Sequence, residues 1–521
     1  MSHVVLFDTT LRDGSQRANI SFSVADKIKI AHRLDSFGIH YIEGGWPGSN
    51  PKDEEFFRAM RGQVLHHAKL VAFSSTCHAG ADPAQDSNLR LLVEAGTDVV
   101  CIFGKSWDFH VTVGLGTTLE ENLRMIEVSV RWLREQGKLV IYDAEHFFDG
   151  YTHNPDYALA TLAAAERGGA AYLALCDTNG GNLPHRVAEV IRLVRERVHT
   201  PLGIHAHDDS GVGVANSLTA VQEGCVMVQG TVNGYGERCG NANLVPIIAN
   251  LQLKLGHECV PDLSALSELS HNVAEIANLA PQEAQPFVGR NAFTHKAGVH
   301  ASAVLKSARM YEHIPPETVG NERHIPVSEL AGRSNVLHRA ERLGITDGEA
   351  RDVVARVKGL EYEGYQFEGA EASLELLVRR HMQGHRERFR LEGFRVINEK
   401  RNDGETYSEA TIKVQVGDHL IHTVAEGNGP VNALDHALRK ALETVFPSLR
   451  RVKLLDYKVR VLEGTDGTGA KVRVLIESGD GSQTWGTVGV SANIIEASWQ
   501  ALVDSVEYAL IAEGRAQAAS D

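Results

Sequence analysis

Cysteine is scarce and scattered: Cys77, Cys101, Cys176, Cys225, Cys239 and Cys259 form no C-x-x-C pair in 521 residues. That spacing argues against a zinc finger or a disulfide scaffold and fits reduced thiols in a cytosol. Long apolar runs are absent too, none approaching the roughly 20 residues of a membrane span. The N-terminus passes from a polar Met-Ser-His directly into a strand pattern, without a signal peptide. A cytoplasmic protein with no membrane partner is therefore expected. An excess of cationic residues is also lacking: 52 Lys and Arg stand against 67 Asp and Glu, a net charge of −15. That balance disfavours nucleic acid as a partner but leaves room for a small anion on a local basic patch. With no low-complexity block and 43% hydrophobic residues, the chain reads as globular and too long for one ordinary domain.

What is present is a repeat of strand and helix. Apolar runs read as strands at 4–10, 39–45, 69–76, 97–104, 138–147, 170–178, 201–207 and 226–236. Amphipathic stretches lie between them, such as the one from Ser23 to Gly38, where Val24, Ile28, Ala31 and Leu34 share one helical face. Ser23 is its candidate N-cap and Gly38 its C-cap. Eight such units near 250 residues favour a closed parallel (β/α)8 barrel, a TIM barrel, over a doubly wound open sheet. The expected divisions are a barrel at 1–280, a helical connector at 281–388 and an α+β domain at 389–521. In the connector, helical patterns such as 349–380 dominate. In the last domain, "HTVAEGNGPVNALDHALRKAL" and "WGTVGVSANIIEASWQALVDSV" share a Thr-Val start, a polar turn and a helix. Their offset of about 64 residues marks a weak duplication and suggests a binding or dimerisation module.

In such a barrel, reactive groups belong at the C-terminal strand ends. Asp13, Glu43, Ser74, Ser75, Lys105, Asp108, Glu145, Asp177 and Thr178 stand there, followed by "HAHDDSG" and "GERCGNANL". Strand alternation puts His205 and His207 on one side, about 7 Å apart along the strand. Closure makes the first strand a neighbour of the eighth, and the eighth a neighbour of the seventh. Asp13, the two imidazoles and either Asn241 or Glu237 then meet on one rim. Two imidazoles and a carboxylate suit a divalent ion with positions left for substrate oxygens. Arg12 would be the electrostatic partner of Asp13.

"DTTLRDGSQ", "HAHDDSGVGVANSLTAVQEG" and "NGYGERCGNANL" resemble the three signature segments of the isopropylmalate, homocitrate and citramalate synthase family. These are metal-dependent barrel enzymes that condense acetyl-CoA with a 2-oxo acid. The resemblance covers the whole chain, since the family also has a helical connector and a C-terminal effector-binding dimer domain. "EGGWPGSNPKDEEFF" and "YDAEHFFDGY" look most like the branch that takes pyruvate.

Carried over by position, the resemblance implies Asp13, His205 and His207 as ligands of Mg2+, Mn2+ or Zn2+, with Asn241 a weaker fourth. It implies Arg12 at the enolate oxygen of the acetyl thioester and Thr178 at the keto-acid carboxylate. Glu145 would pair with Arg12 or take part in proton transfer. Gln16 and Tyr142 join the substrate-binding set, Tyr142 as an aromatic that would shrink the pocket. His300 and Tyr311 would complete the site from the partner subunit of a homodimer. One departure stands out: relatives often read His-Gln-Asp where this chain has His300-Ala301-Ser302. Reaction on 2-oxoisovalerate or 2-oxoglutarate, a lyase, and a non-catalytic amino-acid sensor are the competing readings. The duplicated module would bind an end product such as isoleucine. Between Ala284 and Tyr311 there is no Asp or Glu, while Arg290, Lys296, Lys306 and Arg309 fall there. That window is a candidate for the phosphates of CoA, against the plainer reading that its cations are solvated or paired.

Overall fold

The computed structural model describes residues 3–325, 347–380, 387–400, 402, 404–462 and 469–518. The chain divides into two compact units, Met1–Phe293 with Ile314–Glu322, and Thr294–His313 with Arg323–Asp521.

In the first unit, eight parallel strands close into a barrel in sequence order. They are β1 (Val5–Asp8), β2 (Tyr41–Gly45), β3 (Lys69–Ser75), β4 (Val99–Lys105), β5 (Leu139–Glu145), β6 (Tyr172–Asp177), β7 (Leu202–Ala206) and β8 (Met227–Gly230). Closure is made by β1 against β8, with Val5 opposite Met227 and Asp8 opposite Gly230. The helix Val24–Phe37 starts and stops as its sequence predicts. The Ser23 hydroxyl and Asp26 form a reciprocal capping box, and Gly38 ends the helix at φ 100°.

Because strand side chains alternate, the barrel has two cores. Phe7, Tyr41, Val71, Phe73, Val99, Cys101, Ile141, Ala174 and Met227 fill the lumen. Leu6, Ile42, Val100, Ile102, Val140, Tyr142, Leu173, Ile204 and Val228 pack outward against the helices. Tyr142 is therefore a correction to the expected substrate set. It has the opposite parity to Ile141 and Asp143, is fully buried, and its hydroxyl lies where a Cβ on Gly104 would approach within 2.8 Å. The eighth strand is also shorter than the apolar run implied. It ends at Gly230, and the chain turns through Val232–Gly234 with Asn233 at φ 64°. The Asn233 amide anchors that turn to the Ser270 carbonyl at 2.9 Å and accepts from the Ser270 hydroxyl at 2.6 Å.

The second unit contains two three-stranded antiparallel sheets, each followed by a helix. The first is β9 (Arg390–Lys400), β10 (Thr406–Val416) and β11 (His419–Gly427), with helix Pro430–Leu442. The second is β12 (Lys453–Val461), β13 (Val472–Gly479) and β14 (Thr484–Ser491), with helix Ile494–Ala518. The duplication is visible as a repeated hydrogen bond: Thr423 Oγ1 donates to the Ala437 carbonyl and Thr487 Oγ1 to the Ala501 carbonyl. Both members of the second bond are 64 positions beyond those of the first. The pattern at 349–380 resolves into helices Asp347–Tyr362 and Glu371–Arg380. Gly364 and Gly369, at φ 112° and 81°, lie in the break between them. Among the described residues, no helix is long and apolar enough to cross a membrane.

Candidate active site

At the end of β1 the chain folds back on Thr9. The amides of Arg12 and Gly14 both donate to the Thr9 carbonyl, and the Thr9 hydroxyl donates to Glu43 Oε2 at 2.5 Å. This tight turn is why a cation and an anion follow a buried strand directly. It aims Arg12 and Asp13 back over the lumen instead of into solvent. Across the rim, the segment after β8 pairs with the end of β7. Asp208 N donates to the Gly240 carbonyl, Ala242 N to the Ala206 carbonyl, and Asn241 bridges His207. Gly240 is required in this loop: at φ 100°, a Cβ would lie 2.0 Å from the Gly234 carbonyl oxygen.

The rim thus gathers Asp13, His205 and His207, all buried, into the one group among the described residues whose ligand atoms could share a metal ion. The two Nε2 atoms are 3.3 Å apart, and Asp13 Oδ2 lies 3.3 Å from that of His205 and 3.9 Å from that of His207. A point equidistant from the three atoms lies about 2 Å from each, a metal–ligand bond length. Asn241 Nδ2 donates to Asp13 Oδ2 at 2.8 Å and lies 3.2 Å from His205 Nε2, while Asn241 Oδ1 is buried without a partner among the described residues. A half-turn of that amide presents its oxygen to the same point. The donor set and its spacing fit a divalent ion.

The electrostatics agree. Burial opposes ionisation of Asp13, but the Arg12 guanidinium and the imidazoles of His205 and His207 hold its carboxyl well below the usual range. Burial and the neighbouring His205 push His207 down to about 4. His205 is raised because its contact with Asp13 outweighs its burial.

Arg12 is fixed on three sides. Its Nε donates to Glu43 Oε2 at 2.7 Å, Nη1 lies 3.5 Å from Asp13 Oδ1, and its guanidinium carbon sits 3.8 Å over the Phe73 ring centroid. Phe73 stacks on Phe103 with centroids 5.4 Å apart, and Trp46 meets both rings edge-on at 5.7 Å. Glu43 is completely buried, and its Oε1 has no hydrogen-bond partner among the described residues. Burial raises the Glu43 carboxyl against the pull of Arg12.

The remaining expected residues divide. Thr178 lies on the same strand ends, where its hydroxyl accepts from His146 N at 2.9 Å. Gln16 is exposed at the end of the 3-10 turn after Asp13. Glu145 does not meet Arg12. It is ion-paired with Lys105, its register partner on β4, and the carboxylate on Arg12 is Glu43 from the adjoining strand β2. Glu237 is exposed and lies 3.9 Å from Arg238, so Asn241 is the loop residue that reaches the rim. His300 and Tyr311 belong to the second unit, where their rings stack with centroids 4.1 Å apart. Glu312, next to Tyr311, is held by Arg323 at 2.5 and 2.6 Å and by His295 at 3.1 Å. Lys296 is paired with Glu368 at 2.7 Å, which favours the plainer reading of that basic stretch. Glu43 stands in the expected strand-end set, but its pairing with Arg12 does not, and Gln229 and Asp143 are absent from that set. Their signal is parity: each is a polar residue on an inward position of a largely apolar strand.

Known families and proteins match the chain over nearly its whole length. Residues 3–273 match the HMGL-like family, 287–364 the homocitrate synthase post-HMGL domain-like family, and 368–510 the LeuA allosteric (dimerisation) domain. Over 517 residues the chain is 56% identical to the (R)-citramalate synthase of Geobacter sulfurreducens, covering 98% of each chain. It is 54% identical to that of Aquifex aeolicus over 516 residues, again 98% of each. A probable 2-isopropylmalate synthase of Methanopyrus kandleri is more distant at 32%, covering 96% of this chain and 97% of that one. Both (R)-citramalate synthase matches run over nearly the full length of each chain, and the chain belongs to the (R)-citramalate synthase family.

Proposed function

We propose that this protein is an (R)-citramalate synthase. It joins the acetyl group of acetyl-CoA to pyruvate, hydrolyses the resulting thioester to citramalate and CoA, and serves isoleucine biosynthesis in the cytoplasm. The observation that carries the reading is Arg12 held rigid beside the Asp13–His205–His207 group. A carbon acid as weak as an acetyl thioester needs a fixed cation for its enolate oxygen, next to the place where the electrophile is bound.

Asp13, His205 and His207, with Asn241, would hold Mg2+, Mn2+ or Zn2+, which supplies Lewis acidity at the ketone and carboxylate of the keto acid. Thr178 accepts from a backbone amide, which leaves its O–H to donate to the substrate carboxylate. The aromatic packing of Trp46, Phe73 and Phe103 beside Arg12 supports the smallest keto acid over 2-oxoisovalerate. Glu145, steadied by Lys105, and the His300–Tyr311 pair are the proton-handling groups, the latter contributed by the partner subunit of a homodimer. Gln16 stands at the substrate entrance. The three-part division at 1–280, 281–388 and 389–521 assigns catalysis, completion of the site and feedback by isoleucine, in that order.

A thiol-release assay with acetyl-CoA and pyruvate, 2-oxoisovalerate or 2-oxoglutarate tests the reading. Release with pyruvate at least tenfold above the others, abolished by a chelator and restored by a divalent ion, is expected. Preference for a larger keto acid, or turnover undiminished by the chelator, overturns it.

A further inference from the structure

We propose that Gln229 and Asp143 form a polarity relay that fixes which ring nitrogen of His205 faces Asp13, making both of them positioning residues of the metal centre. The inference rests on the metal reading of the rim, and names residues that are neither ligands nor in contact with substrate.

His205 and Gln229 are register partners on β7 and β8. The Gln229 amide is completely buried. Its Oε1 lies 2.8 Å from His205 Nδ1, and its Nε2 donates to Asp143 Oδ1, on β5, at 2.8 Å. The order of donors along this line is forced from one end. Asp143 Oδ1 is the acceptor at that end, so the amide turns its NH2 group to Asp143. Its oxygen then faces His205 and can only accept there. His205 Nδ1 must therefore carry a proton for Gln229, and Nε2 is the nitrogen left facing Asp13 Oδ2 and His207 Nε2 for an ion. Burial raises the Asp143 carboxyl, against the opposing pull of His205, the Gln229 amide, Arg12 and a second donor, the Cys101 thiol.

Without the carboxylate at 143, the two ends of a glutamine amide are nearly equivalent in shape. With the NH2 turned to His205, the opposite tautomer follows and a proton occupies the ligand position. His207 has no such support: its Nδ1 is buried without a partner among the described residues. Among the described residues, the two ligand imidazoles are thus unequal: His205 Nδ1 joins a chain of hydrogen bonds across the lumen and His207 Nδ1 does not. Hydrogen-bond partners of metal-bound histidines commonly change metal affinity by about 10–100-fold when removed.

The test has two readouts that do not depend on turnover. Ring 15N shifts of histidine-labelled, metal-free protein, at a pH well above the ordinary imidazole value, report the proton position, with His205→Gln assigning the signal. Divalent-ion titration by calorimetry reports affinity. Wild type is expected to carry the His205 proton on Nδ1. Asp143→Asn should give mixed tautomers, and both Asp143→Asn and Gln229→Met should bind the ion about 10–100-fold more weakly. The exchanged pair, Asp143→Asn with Gln229→Glu, keeps net charge and size, and its carboxylate at 229 accepts from both neighbours. It should restore the Nδ1 proton and most of the affinity, which a merely packing role would not do. A wild-type proton on Nε2, or folded single variants with unchanged tautomer and affinity, overturns the relay. Should a single variant fail to fold, the wild-type proton position and the exchanged pair decide. A wild type that binds no divalent ion sinks the metal reading instead, while the tautomer still decides the relay.

Discussion

Arg12 stands between two carboxylates and an aromatic face, each contact constraining a different part of the guanidinium. The Nε bond to Glu43 sets its direction, the Phe73 ring its plane, and Asp13 its reach toward the ion-binding point. Arg12→Ala is expected to lower turnover at least a hundredfold, since a fixed donor at a developing oxyanion contributes about 2.7–4 kcal/mol; near-normal turnover would refute the role. Arg12→Lys should recover little of the loss, because a point charge cannot bridge Glu43 while lying flat on Phe73. At this scale the sequence was readable wherever parity was used. His205 and His207 two positions apart, with Asp13 brought round by closure, are legible in the sequence alone. Tyr142 was misplaced although the same rule applied: it is three residues from Glu145, so both cannot face the lumen. Every residue of β5 from Val140 to Ala144 is buried, and apolarity on both faces hides the phase of a strand.

Among the elements, the loop entering β3 shows how a single carboxylate joins two segments. Asp35, in the last turn of the helix Val24–Phe37, accepts from the backbone amides of His66, His67 and Ala68 at 2.8–2.9 Å. Burial opposes its ionisation, but the three amides prevail and its carboxyl is lowered. Its stabilising contribution is therefore complete above the unfolded carboxylate value of about 3.9, and is lost as pH falls through the lower folded value. Asp35→Asn should destabilise the protein by about 1–3 kcal/mol at neutral pH, with the deficit shrinking in acid. Denaturant midpoints measured for both proteins at neutral and acid pH check this, and a deficit independent of pH would refute it. Helix caps such as Ser23 and Gly38 were legible because their chemistry is local. The early end of β8 was not, since it depends on Asn233 bonding to Ser270, 37 residues away, and no window of sequence contains both. The duplication was legible as an offset, and the Thr423 and Thr487 hydroxyls show why that threonine recurs: each ties a strand to its own helix.

Taken whole, the molecule keeps its chemistry and its duplicated module in different stretches of chain. If the latter carries the effector site, the activity retained by a chain ending at residue 389 should be indifferent to isoleucine, whereas the full chain is inhibited. Inhibition persisting in the shortened chain, read by thiol release over a range of isoleucine concentrations, would place the effector elsewhere. The barrel was legible at this scale because eight units of similar length leave few other ways to bury their strands.

Closure of β1 on β8 also orders events in time. A ribosome releases Val5 long before Met227, the residue that will lie beside it. The first strand must wait with one edge uncovered while more than two hundred residues are made. Since Asp13 and His205 meet only after that edge is covered, a chain that ends before β8 lacks the strand that closes the rim around them. A divalent ion held by that group would therefore report that the ring has shut.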